Sequence, residues 1–301
     1  MTLIIIGGAT ASGKSALALD VAERLGAEIV NADSMQLYRG MDIGTAKVPI
    51  NERRGIVHHM LDILDVTEES SVANFQRQAR EIIDQLLAKD IPVVVVGGTG
   101  LYIKALVDEL NFPDRDPEVR ERLFEESESL GAHAMHQRLT TLDPEAAALI
   151  PEQNLRRVIR ALEVIEITGE PYAASLPRDE RSYYPQALHF AIRVEREILN
   201  ERIHARVHTM WEEGFLREVE ELQAHGLRQG RTARAAIGYA QVLAARDGQI
   251  SMESALEETI VSTRQYARRQ GTWFSREPRI TWLEGARPAL LESLLAISGN
   301  S

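Results

Sequence analysis

The sequence predicts an α/β fold in which a parallel β-sheet core is built from both ends of the chain and is interrupted by an all-helical insertion. Apolar, β-branched runs at Thr2–Ile6 and Pro92–Val96 end in glycines and alternate with helical patterns, as buried parallel strands do. From about Asp116, amphipathic helices follow one another until an apolar run returns at Leu188–Val194. We expect the first part of the core at 1–115, the helical insertion at 116–185, and the second part of the core, with a basic C-terminal helix, at 186–301.

The elements of the first core segment are predicted from their apolar patterns. The strand at Thr2–Ile6 is bounded by Gly7 and Gly8, and Gly26 ends the following helix as a C-terminal capping glycine would. The remaining elements of this segment are a short strand at Glu28–Val30, a helix at Phe75–Ala88 and the strand at Pro92–Val96.

The insertion is predicted to contain helices and one long loop, and the second core segment to contain strands and long helices. The insertion has helices at Pro117–Leu130, Ala132–Leu142, Pro144–Ile150 and Asn154–Thr168, and a proline-containing loop at Pro171–Pro185. The second core segment has strands at Leu188–Val194 and Ile280–Leu283 and helical segments at about 195–225 and 252–275.

The composition is that of an ordinary globular protein, with 44% hydrophobic and 26% charged residues among 301. The chain has no cysteine, which excludes a disulfide scaffold, a thiol nucleophile and a cysteine-based metal site. Its apolar runs are far shorter than the ~20 residues that span a bilayer. The amino-terminal residues lack the pattern of a secretion signal. We therefore expect no membrane segment and a cytoplasmic location.

The charge distribution leaves a nucleic-acid partner open. A formal net charge of −11 argues against one on average, because phosphate binding depends on Lys and Arg. Locally, however, Arg264 and Arg268 lie four residues apart on one predicted helical face, which favours phosphate contact, although a solvated basic surface is the alternative. The clustered arginines are Arg156, Arg157 and Arg160, and then Arg264, Arg268, Arg269, Arg276 and Arg279.

A G-x-x-x-x-G-K-S motif lies between the first predicted strand and the first predicted helix. Glycines in such a loop expose backbone N–H groups to an anion, and the N-terminus of the helix adds partial positive charge. Lys14 can reach terminal phosphates, and the Ser15 hydroxyl can ligate magnesium. The motif therefore predicts a site for a diphosphate or a triphosphate. Its residues are Gly8, Ala9, Thr10, Ala11, Ser12, Gly13, Lys14 and Ser15.

Two polar residues follow predicted strands, at the edge of the sheet where open α/β folds bind ligands. Asp33 could act as a general base, or could cap a turn through its short side chain. Thr99 could face a ligand from its glycine-rich loop, or could cap the next helix. No aspartate ends the strand at Pro92–Val96, so the acidic magnesium ligand common in ATP-hydrolysing P-loop proteins is missing there. A motor or an ATP-driven switch is therefore disfavoured.

Taken together, these residues resemble the tRNA dimethylallyltransferase family. Ala9 and Ser15 stand where the family often has Pro and Thr, which preserves the backbone cradle and the hydroxyl, and Ala240 stands where some members carry a basic residue. Besides the phosphate-binding motif, the matching segments are Asp33–Gln36, Met41–Lys47, Gly97–Tyr102, Asp116–Arg120, Arg160–Val164, Ile237–Tyr239 and Thr263–Gln270 with Trp273, and they cover nearly the whole chain in order.

The resemblance implies transfer of a dimethylallyl group from dimethylallyl diphosphate to the exocyclic amine of the adenosine immediately 3′ of a tRNA anticodon, with release of diphosphate. It implies that the loop from Gly8 to Ser15 binds the diphosphate together with Mg²⁺ ligated by Ser15, that Asp33 is the catalytic base, and that Thr99 is a second catalytic group. The implied tRNA contacts are Asp33, Ser34, Met35, Gln36, Thr99, Arg120, Arg156, Arg157, Arg160, Arg264, Arg268 and Arg269.

The fold implied by the resemblance is a P-loop NTPase-like core with a helical insertion that clasps the anticodon stem-loop, and we expect the protein to be a monomer. Three alternatives remain. A P-loop small-molecule kinase would need only a small lid in place of the long insertion. An adenylate isopentenyltransferase would share the chemistry but accept a free nucleotide. A non-catalytic RNA-binding module would have no need for Lys14, Ser15, Asp33 and Thr99 together.

Overall fold

The core of the protein is a parallel β-sheet, seen in a computed structural model that describes residues 2–110, 112–113, 116–172 and 181–299. Within these residues the sheet has six strands in the order β3-β2-β4-β1-β5-β6, and every neighbouring pair is parallel. The strands are β1 Leu3–Gly7, β2 Glu28–Asn31, β3 His58–His59, β4 Val93–Val96, β5 Leu188–Ile192 and β6 Ile280–Leu283.

β1 and β4 lie at the centre of the sheet. β1 is buried along its whole length and pairs with β4 on one side and β5 on the other. Since β5 and β6 come from the chain after the insertion, both ends of the chain contribute to one sheet, and the predicted α/β fold is confirmed.

Helices cover both faces of the sheet. Leu3 and Ile5 of β1 pack with the helices of one face, and Ile4 and Ile6 pack with those of the other. Successive strand residues point to opposite faces, so a strand covered on both sides needs an unbroken apolar run. The helices are α1 Lys14–Leu25, α2 Val72–Ala88, α3 Gly100–Val107, α4 Pro117–Leu142, α5 Pro144–Leu149, α6 Leu155–Thr168, α7 Arg196–Glu212, α8 Phe215–Ala224, α9 Tyr239–Arg246, α10 Met252–Phe274 and α11 Arg287–Ile297.

The observed helices differ from the predicted ones at several points. The segment predicted as helical over about 195–225 is two helices, α7 and α8, because Gly214 adopts a φ of 101° between them. α4 is broken at Gly131, as the predicted boundary between two insertion helices requires. α9 and α11 were not predicted. α9 has eight residues, too few for the helical period to stand out.

The chain divides into two compact units, one formed by Met1–Val107 with Tyr183–Ser301 and the other by Asp108–Ser182. The second unit has its own core of residues from α4, α5 and α6, among them Leu123, Leu139 and Ile159. Of the loop predicted at Pro171–Pro185, residues 173–180 lie outside the described residues. Among the helices that the structure describes, none combines the length and the apolar character needed to cross a membrane.

Candidate active site

The loop between β1 and α1 has the conformation of an anion-binding turn. Gly8, Ala11 and Gly13 have φ angles of 139°, 61° and 93°, so the loop doubles back sharply before α1 begins at Lys14. The N-cap of α1 is Gly13, which has no side chain to cap the first turn. The backbone N–H groups of that turn are therefore available to a ligand, and the helix dipole favours a negative one.

Lys14 lies beneath this loop, with its Nζ 3.3 Å from the Ala9 carbonyl oxygen. Burial lowers the pKa of Lys14 to about 8, and the nearby positive charge of Arg206 lowers it further, whereas the negative charge of Asp33 opposes both effects. Three groups predicted or found at this edge of the sheet thus influence one another's charge. A negatively charged ligand would restore the protonated form of Lys14.

Asp33 follows β2 and is held in place by Asn31. The Asn31 side chain accepts a hydrogen bond from the Asp33 N–H at 3.0 Å and donates to the Asp33 and Met60 carbonyl oxygens at 3.0 and 2.9 Å. Asp33 in turn accepts from the Met35 N–H through Oδ1 at 3.0 Å. The turn-capping alternative is therefore realised, but the same carboxylate also lines a cavity. One side chain fills both positions that the sequence left open.

Thr99 lies in the loop after β4 and turns its hydroxyl towards the Asp33 loop. Its Oγ1 accepts from the Ser34 N–H at 3.2 Å and lies 3.4 Å from the Ser34 hydroxyl oxygen. Thr99 meets α3 through its backbone carbonyl, which accepts from Tyr102 and Ile103. The Tyr266 hydroxyl also bonds to the Thr99 side chain. The structure therefore brings Asp33, Ser34 and Thr99 together at the ends of neighbouring strands.

The long helix α10 ties the loops of two strands to each other. The buried Gln270 accepts from the Thr10 N–H through Oε1 at 2.8 Å and donates through Nε2 to the Gly98 carbonyl at 2.9 Å. A Cβ at Gly98 would lie 2.2 Å from Gln270 Nε2, so glycine is needed for this approach. One turn earlier, burial raises the pKa of Tyr266 to about 12, with Asp33 adding to the shift, and Tyr266 therefore remains a neutral hydroxyl.

Arg206 is a site residue that the sequence reasoning missed. It comes from the middle of α7, and its Nη1 donates to the Thr10 hydroxyl at 2.8 Å. Burial lowers its pKa, while Asp33 has the opposite effect. The overlooked signal is its position within the apolar stripe formed by Ile203, Val207 and Met210, where a cation is out of place unless it has a partner.

A cavity of about 310 Å³ joins these groups. Thr10, Asp33 and Arg206 line its polar side, and Tyr266 lies among them. Its other walls are largely apolar, and they are formed by Ile203, Val207, Met210, Ala236, Ile237 and Tyr239. The cavity can therefore hold an apolar group beside both an anion-binding loop and a carboxylate.

The other residues predicted to contact a nucleic acid occupy several places. Ser34 and Met35 line the same cavity, and the Gln36 side chain donates to the Thr45 carbonyl at 3.0 Å. On α10, Arg268 and Arg269 are exposed, whereas Arg264 is half-buried. These three arginines line a second hollow of about 800 Å³, which also touches Gly8, Ala9 and Ser12 of the phosphate-binding loop.

In the helical unit, the four predicted arginines fall into two pairs. Arg156 and Arg157 are exposed on α6. Arg120 and Arg160 instead pair with the carboxylate of the fully buried Glu163, with N–O distances of 3.4 and 2.9 Å. A buried carboxylate needs such partners, so Arg120 and Arg160 have a structural task in this unit. Their contact with tRNA stays a prediction.

Ser15 is the predicted metal ligand, and it stands half-buried in the first turn of α1. Within the described part of the chain, no three or more histidine and acidic side chains are grouped as a metal site would require. Magnesium often takes only one or two protein ligands and completes its shell with phosphate oxygens and water. The Ser15 hydroxyl beside an anion-binding loop fits a metal held in that manner.

Comparison with known proteins gives matches over most of the chain. A model of the IPP transferase family matches residues 36–277. The tRNA dimethylallyltransferase of Streptomyces coelicolor is 53% identical over 283 residues, which cover 94% of this chain and 90% of that protein. The protein of the same name from Thermobifida fusca is 50% identical, with coverage of 98% and 94%.

Two solved structures are similar over nearly the full chain. The full-length tRNA isopentenylpyrophosphate transferase from Bacillus halodurans has a TM-score of 0.72 at 37% identity, covering 99% of this chain and 96% of that one. A eukaryotic dimethylallyltransferase acting on tRNA has a TM-score of 0.81 at 26% identity, covering 99% of this chain and 76% of that one.

Proposed function

Because the chain belongs to the IPP transferase family, we propose that it transfers a dimethylallyl group from dimethylallyl diphosphate to the exocyclic amine of the adenosine immediately 3′ of a tRNA anticodon, with release of diphosphate. The observation that carries the proposal is the single cavity that joins Thr10 and Arg206, at the anion-binding loop, to Asp33 and to an apolar wall. Such a cavity can hold an anionic leaving group, an apolar chain and a nucleophile in contact with a base.

The donor half of the reaction uses the phosphate-binding loop. As the bond between the allylic carbon and the diphosphate oxygen breaks, negative charge grows on the diphosphate. The N–H groups of the loop, Lys14 and Arg206 lie where they would stabilise that charge. Mg²⁺ ligated by Ser15 would add a further positive charge to the diphosphate. The apolar residues Ile203, Val207 and Met210 would surround the dimethylallyl group.

The acceptor half uses the carboxylate at the end of β2. The lone pair of an adenine amine is delocalised into the ring, so the amine is a weak nucleophile. As its nitrogen bonds to the allylic carbon, Asp33 would accept the proton that it loses. Thr99, which bonds to the Ser34 backbone, would hold the Asp33 loop and the incoming base in register. The adenine would have to leave its stack to reach the cavity.

The tRNA partner would be bound by exposed arginines through its phosphates. Arg268 and Arg269 on α10, and Arg156 and Arg157 on α6, are exposed and suited to this contact. We assign the anticodon stem-loop as the bound element, because single-stranded loops offer bases that proteins can extract and read. We further propose that the protein acts as a monomer in the cytoplasm.

The first test is incubation with labelled dimethylallyl diphosphate, Mg²⁺ and either tRNA or AMP, with ATP as the control donor. We expect label in tRNA only, and only from the prenyl donor. Label in AMP would instead favour an adenylate isopentenyltransferase, and phosphate transfer from ATP would favour a kinase.

The role of Asp33 is tested by Asp33→Ala, with the exposed Asp65→Ala as the matched control. Single-turnover transfer should be lost in Asp33→Ala, while its affinity for tRNA, measured by filter binding, stays within a few-fold of the parent. Asp65→Ala should behave as the parent in both assays. Unchanged turnover in Asp33→Ala would remove the assignment of the base.

A further inference from the structure

The apolar end of the cavity is held by a buried carboxylate from α8. Glu218 is 8% exposed, and it accepts hydrogen bonds from three successive backbone N–H groups, those of Asp42 at 3.0 Å, Ile43 at 2.6 Å and Gly44 at 3.1 Å. It also accepts from the Tyr239 hydroxyl at 2.6 Å. Four donors thus converge on one side chain, and they come from two segments far apart in the sequence.

Both segments are walls of the cavity. Gly44 and Thr45 line it from one side, and Tyr239, at the start of α9, lines it from another. The two walls meet without space between them, since a Cβ at Gly44 would lie 2.5 Å from the Tyr239 hydroxyl oxygen and 2.5 Å from Phe215 Cε2. Tyr239 itself is fully buried. Glu218 is therefore the group that fastens this wall shut.

We propose that Glu218 is a positioning residue that fixes the depth of the cavity and so restricts the prenyl donor to a five-carbon chain. The inference rests on the proposed function, because it assumes that the prenyl group lies against the apolar walls. Without the four hydrogen bonds, the segment at Asp42–Gly44 and the ring of Tyr239 could separate and give room to a longer chain. Glu218 does not line the cavity and acts only through these neighbours.

The test compares transfer from dimethylallyl diphosphate and from geranyl diphosphate to tRNA. Glu218→Gln replaces one acceptor oxygen by an N–H₂ group, which cannot accept these bonds, and Tyr239→Phe removes one bond while keeping the ring. Glu220→Gln is the matched control, because Glu220 is an exposed carboxylate on the same helix. The readout is the ratio of kcat/KM for the ten-carbon and five-carbon donors, which a loss of active protein leaves unchanged.

We expect Glu218→Gln to raise the ratio about tenfold, the effect that a single methylene typically has on discrimination in an apolar pocket. Tyr239→Phe should raise it less, and Glu220→Gln should leave it unchanged. An unchanged ratio in variants that still transfer the five-carbon group would overturn the inference. If Glu218→Gln fails to fold, Tyr239→Phe decides alone by the same criterion. Absence of any transfer by the parent protein would instead refute the proposed function.

Discussion

The low pKa of Lys14 makes diphosphate binding depend on pH in a range where an ordinary lysine would have no effect. With a pKa of about 8 in the free protein, Lys14 is ~90% protonated at pH 7 and only ~3% protonated at pH 9.5. A bound diphosphate stabilises the charged form and raises this pKa. Binding above pH 8 must then include the uptake of a proton by Lys14, so the affinity falls as the pH rises.

The expected size of the effect follows from these fractions. If the pKa in the complex lies above 9.5, the Kd for dimethylallyl diphosphate should increase ~30-fold between pH 7 and pH 9.5, which is about 2 kcal/mol. With the ordinary lysine pKa of 10.5, the change over the same range would be negligible. Isothermal titration calorimetry without tRNA measures the Kd and the proton uptake together.

The control is Lys14→Arg, since a guanidinium stays charged throughout this pH range. Its Kd should change little between pH 7 and pH 9.5, even if it is weaker than the parent at both. Equal Kd values for the parent at the two pH values would refute the reasoning, and so would the same ~30-fold weakening in Lys14→Arg, because another group would then be responsible.

Three further perturbations have defined outcomes. Arg268→Ala should weaken tRNA binding and reduce the slope of log Kd against log salt by about one, and an unaltered slope would argue against a phosphate contact. Gly97→Ala should lower kcat at least ~10-fold, because its Cβ would lie 2.3 Å from the Ala32 carbonyl oxygen beside the catalytic loop; Gly271→Ala, whose Cβ meets nothing within 4 Å, is the control. Glu163→Ala should destabilise the helical unit by ~3 kcal/mol in urea unfolding, because it leaves two arginines without their buried partner, and equal stability to the parent would contradict that role.

The features that the sequence predicts well are those encoded by neighbouring residues. The strand at Thr2–Ile6, the glycine-rich turn and α1 form one continuous signal, because apolar run, turn and helix follow directly in the chain. Gly131 likewise marks the break in α4 from its own backbone preference. Asp33 and Thr99 were placed in the correct loops for the same reason, since each directly follows a strand.

The features that the sequence did not predict depend on distant partners. Arg206 bonds to Thr10 across 196 residues, and Glu218 bonds to Gly44 across 174 residues. A single sequence contains no sign of which side chain meets which loop, beyond the general fact that a charge within an apolar stripe needs a partner. The competing roles of Asp33 also could not be separated, because the turn-capping bond and the cavity-lining position use the same carboxylate.

The place of β1 in the sheet has a consequence for how the protein is made. β1 leaves the ribosome first, yet its neighbours are β4 and, much later, β5. Until residues 188–192 have been synthesised, one edge of this apolar strand stays open to pairing with other chains. Folding that depends on such distant contacts is slow, and the nascent chain therefore needs chaperone protection from the first strand until after the helical unit.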